Sequence, residues 1–283
     1  MKLVLGSAQF GNNYGLVNGK KVKIYDILKI ENLVLKQKIN FVDTSANYGD
    51  SEKIIGKSKL RNLNIITKFK LPNKKIDIKL WVQENIRYSL KKLNVNKIYG
   101  LLVHDINDVL GKNGQYYLNC LLNLKKNGII KNLGLSVYTP EDLKSVWKLW
   151  KPDIVQVPFN VLDNRFLISN WFARLKKNKI KIFVRSCFLQ GLLISNYKSI
   201  KKFKKHKRLL DKFSIWCLNN KITRIKASIH FIKRYKLIDY LIVGFNSYDQ
   251  LKEIIEIFNQ RTVKIPTLFR SSKLSLIDPR RWT

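Results

Sequence analysis

Asn40-Phe-Val-Asp-Thr-Ser-Ala-Asn-Tyr-Gly49 decides the reading of this chain. It opens as a short apolar run, ends that run in an ionisable residue, Asp43, and places a phenol, Tyr48, on the segment that follows. The pattern recurs: Asn64-Ile-Ile-Thr-Lys68 ends in a lysine, and Tyr99-Gly-Leu-Leu-Val-His104 ends in a histidine. Buried strands that each finish in a polar, ionisable residue are what a parallel barrel presents at its catalytic mouth.

Outward from these three, apolar runs stand near Lys2–Leu5, Asn132–Ser136, Ile154–Val157, Lys181–Arg185 and Tyr240–Gly244. Each is followed by a helical pattern. Strands alternating with helices predict βαβ units and a parallel sheet. Eight such units predict a closed (β/α)8 TIM barrel, read as one domain over residues 1–283. The 13 Gly and 6 Pro form no low-complexity linker that would divide it. Ile24, Ile27, Leu28 and Val34 are expected to make the buried stripe of the first helix, and Leu251, Ile254, Ile255 and Phe258 that of the last. Thr139-Pro140-Glu141-Asp142 reads as a helix start, with a cap, a first-turn proline and acids at the positive end of the dipole. Ser247 and Gln250 have capping-box spacing. Residues 186–239, between the seventh and eighth strands, are long enough for two helices and a loop. An insertion there serves either as a flap at the catalytic face or as extra packing.

Composition narrows the function classes. The net charge is +36, from 55 Lys+Arg against 19 Asp+Glu. Such a balance could suit a polyanion partner, but reads first as a Lys-rich bias spread over solvated faces. No zinc-finger, RRM or helix-turn-helix signature supports specific nucleic-acid binding. No segment approaches the apolar length of a membrane span, and the first residues read as a strand rather than a signal peptide. The three cysteines, Cys120, Cys187 and Cys217, suit a reducing cytoplasm. His104, His206 and His230 lie too far apart for a zinc site, so no metal is expected.

In such a barrel the ends of the second, third and fourth strands converge, bringing Asp43, Lys68 and His104 together beside Tyr48. Taken singly, each has a structural reading: a turn, a surface lysine, a helix-capping pair. Together they suit proton donation to a carbonyl. Asp43 would hold Lys68 charged, and the ammonium would lower the Tyr48 phenol from its usual value near 10. His104 would polarise the carbonyl oxygen. No side chain can supply a hydride, so the chemistry requires a reduced nicotinamide cofactor.

The chain resembles the aldo-keto reductase family over nearly its whole length. The resemblance rests on Leu5-Gly-Ser-Ala-Gln-Phe-Gly11, Phe41 to Gly49 with Ser51-Glu52, Thr67-Lys68, Val103-His104, Gly134-Leu-Ser136, Val155-Gln-Val-Pro-Phe-Asn160, Arg185 to Leu193, and Ile242 to Ser247. It implies Tyr48 as general acid, assisted by Lys68 and Asp43, with His104 directing the carbonyl. It implies Ser136 and Gln156 at the nicotinamide carboxamide, and Ser186, Leu189 and Gly191 along the pyrophosphate. It implies Gly244, Asn246, Ser247, Gln250 and Glu253 at the adenosine end, with the helix start at Ser247 a seat for phosphate. Arg185 stands where many members have an aromatic residue, and could stack on the nicotinamide or reach an anionic substrate group. Asn246 stands where NADP-dependent members often carry Arg, Ile254 where an Asn is common, and Val137 where another Asn is frequent. Family habit favours NADPH; NAD stays open.

The mouth is expected to be lined also by Asn12, Asn13, Tyr14, Asp105, Ile106, Phe159 and the tail Arg280-Arg281-Trp282. Arg185 and that tail suggest a carbonyl on a sugar or sugar nucleotide, with an anionic group on the substrate left open. The basic run Lys198–Lys212 reads as a solvated helix, as electrostatic attraction of anionic ligands, or as membrane contact. The leading function is an NAD(P)H-dependent carbonyl reductase acting as a monomer. The alternatives are a catalytically silent, cofactor-binding regulatory subunit and a basic polyanion-binding protein.

Overall fold

The computed structural model describes residues 1–16, 19–197 and 200–282. Eight parallel strands close into a barrel in sequence order. They are β1 (Lys2–Gly6), β2 (Phe41–Asp43), β3 (Asn64–Phe69), β4 (Ile98–Val103), β5 (Ile130–Ser136), β6 (Ile154–Pro158), β7 (Lys181–Arg185) and β8 (Tyr240–Val243). Pairing of β1 with β8, Leu3 opposite Leu241 and Val4 opposite Ile242, completes the closure. Around it lie α1 (Ile24–Lys36), α2 (Ser51–Lys57), α3 (Ile78–Leu93), α4 (Gly114–Lys126), α5 (Pro140–Trp147), α6 (Trp171–Lys177), α7 (Lys207–Asn219), α8 (Arg224–Lys233) and α9 (Tyr248–Asn259), with shorter turns of helix between them.

Side chains alternate across a strand, so a buried inward residue predicts another two positions on. Val4, Phe41, Ile66, Leu102, Ile154, Phe183 and Ile242 form a separate apolar cluster, one residue from each strand except β5. On β5 the slot is Gly134, where an added Cβ would sit 2.4 Å from the Ile154 carbonyl oxygen and 2.6 Å from Leu102 Cδ2. Two residues beyond each member of this layer stand Gly6, Asp43, Lys68, His104, Ser136, Gln156, Arg185 and Gly244. The polar mouth of the barrel is thus the next turn of the pleat above its apolar layer. At the opposite end Phe183 stacks on Tyr240 at 4.1 Å, and Phe41 packs on Tyr240 and Tyr99 at 4.7 and 5.0 Å.

The outer helices bury one face each. On α1 the inward residues are Ile27, Ile30, Glu31 and Val34. Ile24 and Leu28, expected on that stripe, are 81% and 67% exposed. At 3.6 residues per turn they fall to one side of the arc centred between Ile27 and Val34. Glu31 holds the intervening slot, and its Oε2 accepts the Lys59 N–H at 2.9 Å. On α9, Leu251, Ile254 and Ile255 are buried as expected, Phe258 packs partly against the core, and Ile257 joins them. Thr139 and Asp142 close a capping box at the start of α5, and Ser247 caps α9 through the Gln250 N–H. The Gln250 side chain accepts from the Asn246 N–H rather than from that of its cap.

The insertion after β7 carries α7 and α8. Its basic run was read from Lys198, which lies outside the described residues, as does Thr283 at the chain end. Lys201–His206 forms a tight helical turn ahead of α7. This turn packs against the tail: Phe203 meets Trp282 edge-on at 5.1 Å, Lys202 Nζ donates to the Trp282 carbonyl, and His206 pairs with Ser275 Oγ at 3.1 Å. No described helix is long and apolar enough to cross a membrane.

Candidate active site

Asp43, Lys68 and His104 come together at the mouth because β2, β3 and β4 are adjacent and in register, with Asp43 opposite Ile66 and Lys68 opposite Leu102. Lys68 is 1% exposed, so its charge needs compensation. Nζ donates to Asp43 Oδ2 at 2.7 Å and to the Thr44 carbonyl at 2.8 Å. The other Asp43 oxygen accepts from Gln156 Nε2 at 2.7 Å, and Ser136 Oγ reaches Gln156 Oε1 at 3.4 Å. Ser136, Gln156, Asp43 and Lys68 therefore form one buried polar chain across the barrel.

Tyr48 sits on the loop after β2. Gly11 lies directly beneath that loop: an added Cβ would come within 1.7 Å of the Tyr48 carbonyl oxygen. The same loop is tied down by Ser51 Oγ to Ser7 Oγ at 2.7 Å and by Ser7 Oγ to the Asp43 carbonyl at 2.9 Å. The serines of the two sequence motifs are thus the scaffold of the tyrosine. The Tyr48 ring faces His104 edge-on, with centroids 6.3 Å apart.

Lys68 Nζ lies 5.2 Å from the Tyr48 ring centroid, over the ring. The expectation that it lowers the phenol is overturned. Burial, followed by the Asp43 charge, raises the Tyr48 pKa, and Arg185 opposes them. The reason is geometric: the ammonium is turned toward Asp43 and Thr44. Burial likewise lowers Lys68 from the usual lysine range, against the pull of Asp43. Burial, then the charges of Lys68, Arg185 and Lys70, take His104 from 6.5 to about 3, so its imidazole is neutral near pH 7. Its Nδ1 lies 3.4 Å from Ser45 Oγ. The site at neutral pH thus holds a firmly protonated phenol, an ion pair and a neutral imidazole.

The cavity at the mouth is lined by Asp43, Tyr48, His104, Ser136, Gln156, Arg185, Ser186 and Gly244, as the sequence suggests, and by Gln9, Tyr138, Cys187, Phe188 and Gln190, which it does not. Tyr14 lines it; Asn12, Asn13, Asp105 and Ile106 do not. Phe159 belongs to the core, packed on Phe172, Tyr235 and Phe231. Of the tail, Arg280 alone touches a lining residue, Tyr138; Arg281 and Trp282 turn away toward the basic turn. The tail packs there because Phe203 offers Trp282 an apolar seat. Tyr138 was signalled only by lying just past Ser136 at the end of β5.

Two neighbouring positions of the mouth ring, Gly6 and Gly244, carry no side chain. A Cβ at Gly244 would lie 3.0 Å from Gln9 Nε2. Next to this gap the cavity meets a cleft lined by Gln9, Tyr14, Gly191, Ser195, Gly244, Asn246 and Gln250. Gln9 Oε1 is buried there without a hydrogen-bond partner. An open track with an orphaned acceptor fits an extended polar ligand such as a dinucleotide. Gly191 and Asn246 lie on it. Leu189 is buried in the core, and its neighbours Ser186, Gln190 and Gly191 share its positive φ. Glu253 is exposed on α9 and lies on neither the cavity nor the cleft. Among the described residues no cluster could hold a metal, and His230 is taken up by the Ile257 carbonyl and the Val263 N–H.

Comparison with known proteins agrees with this geometry. The profile of the Aldo/keto reductase family matches residues 2–265. No curated protein matches the chain. An aldo-keto reductase from Bacillus halodurans in its holo form superposes with TM-score 0.72 at 19% identity, over 93% of this chain and 88% of that one. A glycerol dehydrogenase from Gluconobacter oxydans superposes with TM-score 0.68 at 19% identity, over 92% and 87%. At that identity the neighbours speak for the fold, and the profile match is what places the chain. It belongs to the aldo/keto reductase family, a family of carbonyl oxidoreductases that generally use nicotinamide cofactors.

Proposed function

We propose that this protein reduces an aldehyde or ketone to the alcohol with NADPH as the favoured reductant, acting as a monomer on a small-molecule carbonyl of the sugar or sugar-nucleotide class. The observation that carries the reading is the meeting of Tyr48, His104 and the Lys68–Asp43 pair at one cavity. A bound reduced nicotinamide would supply a hydride to the carbonyl carbon. As the carbonyl oxygen gains the electron pair, Tyr48 gives it the phenolic proton. Burial keeps that proton on Tyr48 until negative charge develops on the oxygen. Neutral His104 orients the oxygen without competing for the proton. Gln156 and Lys68 hold Asp43 by both oxygens, which fixes the ammonium.

NADPH is favoured by family habit, with Gln9, Ser186, Gly191, Gly244, Asn246 and Gln250 along its track. Asn246 in place of an Arg leaves NADH as the alternative reductant. The test follows oxidation of NADPH, then NADH, against a panel of aldehydes and sugar aldehydes, with Tyr48→Phe alongside. Turnover should fall by about 10²-fold or more in Tyr48→Phe with no change in thermal midpoint. Turnover that survives the substitution would remove Tyr48 from its role. Tight NADPH binding with no turnover on any substrate would favour the regulatory reading instead.

A further inference from the structure

Arg185 ends β7 and lines the cavity between Gln156 and Gly244 of the mouth ring. Its guanidinium carbon lies 4.3 Å from the Tyr138 ring centroid. Nη1 donates to Ser186 Oγ at 3.3 Å and Nη2 to the Val137 carbonyl at 3.2 Å. Both bonds are long, and they leave most of the five guanidinium N–H groups unused. The group is held in place by neutral neighbours and a ring.

The charges around it are otherwise settled. Arg280 reaches the same Tyr138 ring, at 3.9 Å, but is neutralised by Asp278 through Nε at 3.0 Å and Nη2 at 2.7 Å. Asp43, the cavity's carboxylate, is engaged by Lys68 and Gln156. Among the described residues Arg185 forms no ion pair, and it is the one charged group lining the cavity that lacks a counter-ion. A half-buried, fixed and unneutralised guanidinium is an anion receptor with its fork already oriented.

The chemistry of the site adds a second argument. A nicotinamide bound in this cavity would share it with Arg185, and would carry positive charge once its hydride had been given up. A bare guanidinium opposes that new charge; one that carries an anion does not. We propose that the natural substrate bears an anionic group, a carboxylate or phosphate ester, on the same molecule as its carbonyl, and that Arg185 receives it. The proposal rests on the reductase reading and narrows its substrate to sugars that carry a carboxylate or a phosphate.

The experiment uses matched substrates at constant ionic strength: glucuronate against glucose, and glyceraldehyde 3-phosphate against glyceraldehyde. Each is measured with NADPH for the natural sequence, Arg185→Gln and Arg185→Lys. The charged member of at least one pair should be preferred, and the charged-to-neutral ratio of kcat/KM should drop about tenfold or more in Arg185→Gln, through KM of the charged member. Arg185→Lys should retain part of the preference, since it keeps the charge and loses the fork. The pair that responds separates carboxylate from phosphate. An unchanged ratio, or an effect confined to the KM of NADPH, would overturn the proposal and give Arg185 to the cofactor. Calorimetric titration of the cofactor-free protein with glucuronate and glyceraldehyde 3-phosphate keeps the two readings apart. Binding that is lost in Arg185→Gln, with no turnover of any aldehyde, retains the anion site and removes the reductase. Neither binding nor turnover removes both.

Discussion

His104 is the residue at which burial most changes ordinary chemistry. Folded, its pKa is taken from 6.5 to about 3. Between those values the unfolded chain binds a proton that the folded chain refuses, so stability falls as pH drops through that window and is intact above it. Acid titration of urea unfolding should show this loss, at up to about 1.4 kcal/mol per pH unit from this residue. His104→Gln should flatten the curve between pH 6.5 and 3. The kcat profile of the natural sequence should carry no step near 6.5, and a step there would mean that the imidazole titrates during turnover. The sequence placed His104 correctly, because residue parity on β4 is fixed by the apolar run before it. It did not disclose how firmly neutral the ring is, which depends first on burial and then on the cations of Lys68, Arg185 and Lys70 from other elements.

At the scale of elements, the start of α5 and Arg185 are mechanically linked through Tyr138. Asp142 Oδ2 accepts the N–H groups of Tyr138 and Thr139 at 3.0 and 2.9 Å. The helix cap therefore also fixes the ring on which Arg185 lies. Asp142→Ala should cost about 1–2 kcal/mol in urea unfolding and raise KM for the substrate. A stability loss with no change in KM would separate the cap from the site. The cap itself was legible in Thr139-Pro140-Glu141-Asp142, as were the eight strands, because both are local patterns. What was illegible depended on partners distant in the chain. Trp282 went to Phe203 rather than the mouth, Phe159 joined an aromatic core with Phe172 and Phe231, and Ile24 and Leu28 lost the buried arc of α1 to Ile30 and Glu31. Tyr138 and Gln190 stand on loops, where no periodicity marks direction.

The molecule as a whole carries +36, and its densest basic turn lies beside the tail rather than in the cavity. Any attraction of anionic ligands by this turn acts through the field, separately from the contact proposed for Arg185. The KM for NADPH should rise on the order of threefold from about 0.05 M to about 0.3 M salt, as screening shortens that field. Replacing Lys201, Lys204 and Lys205 by Gln should flatten the dependence if this turn supplies it. Lys202 is left in place, because it holds the Trp282 carbonyl. An unchanged salt slope would assign the attraction to the remaining surface lysines.

The packed rings of Phe183, Tyr240, Phe41 and Tyr99 stopper the far end of the barrel. Traffic is therefore one-ended. Whatever goes in through the polar rim must come out past it, so a departing product and the next substrate compete for a single doorway. The pace of the whole cycle can then be set by departure as readily as by chemistry.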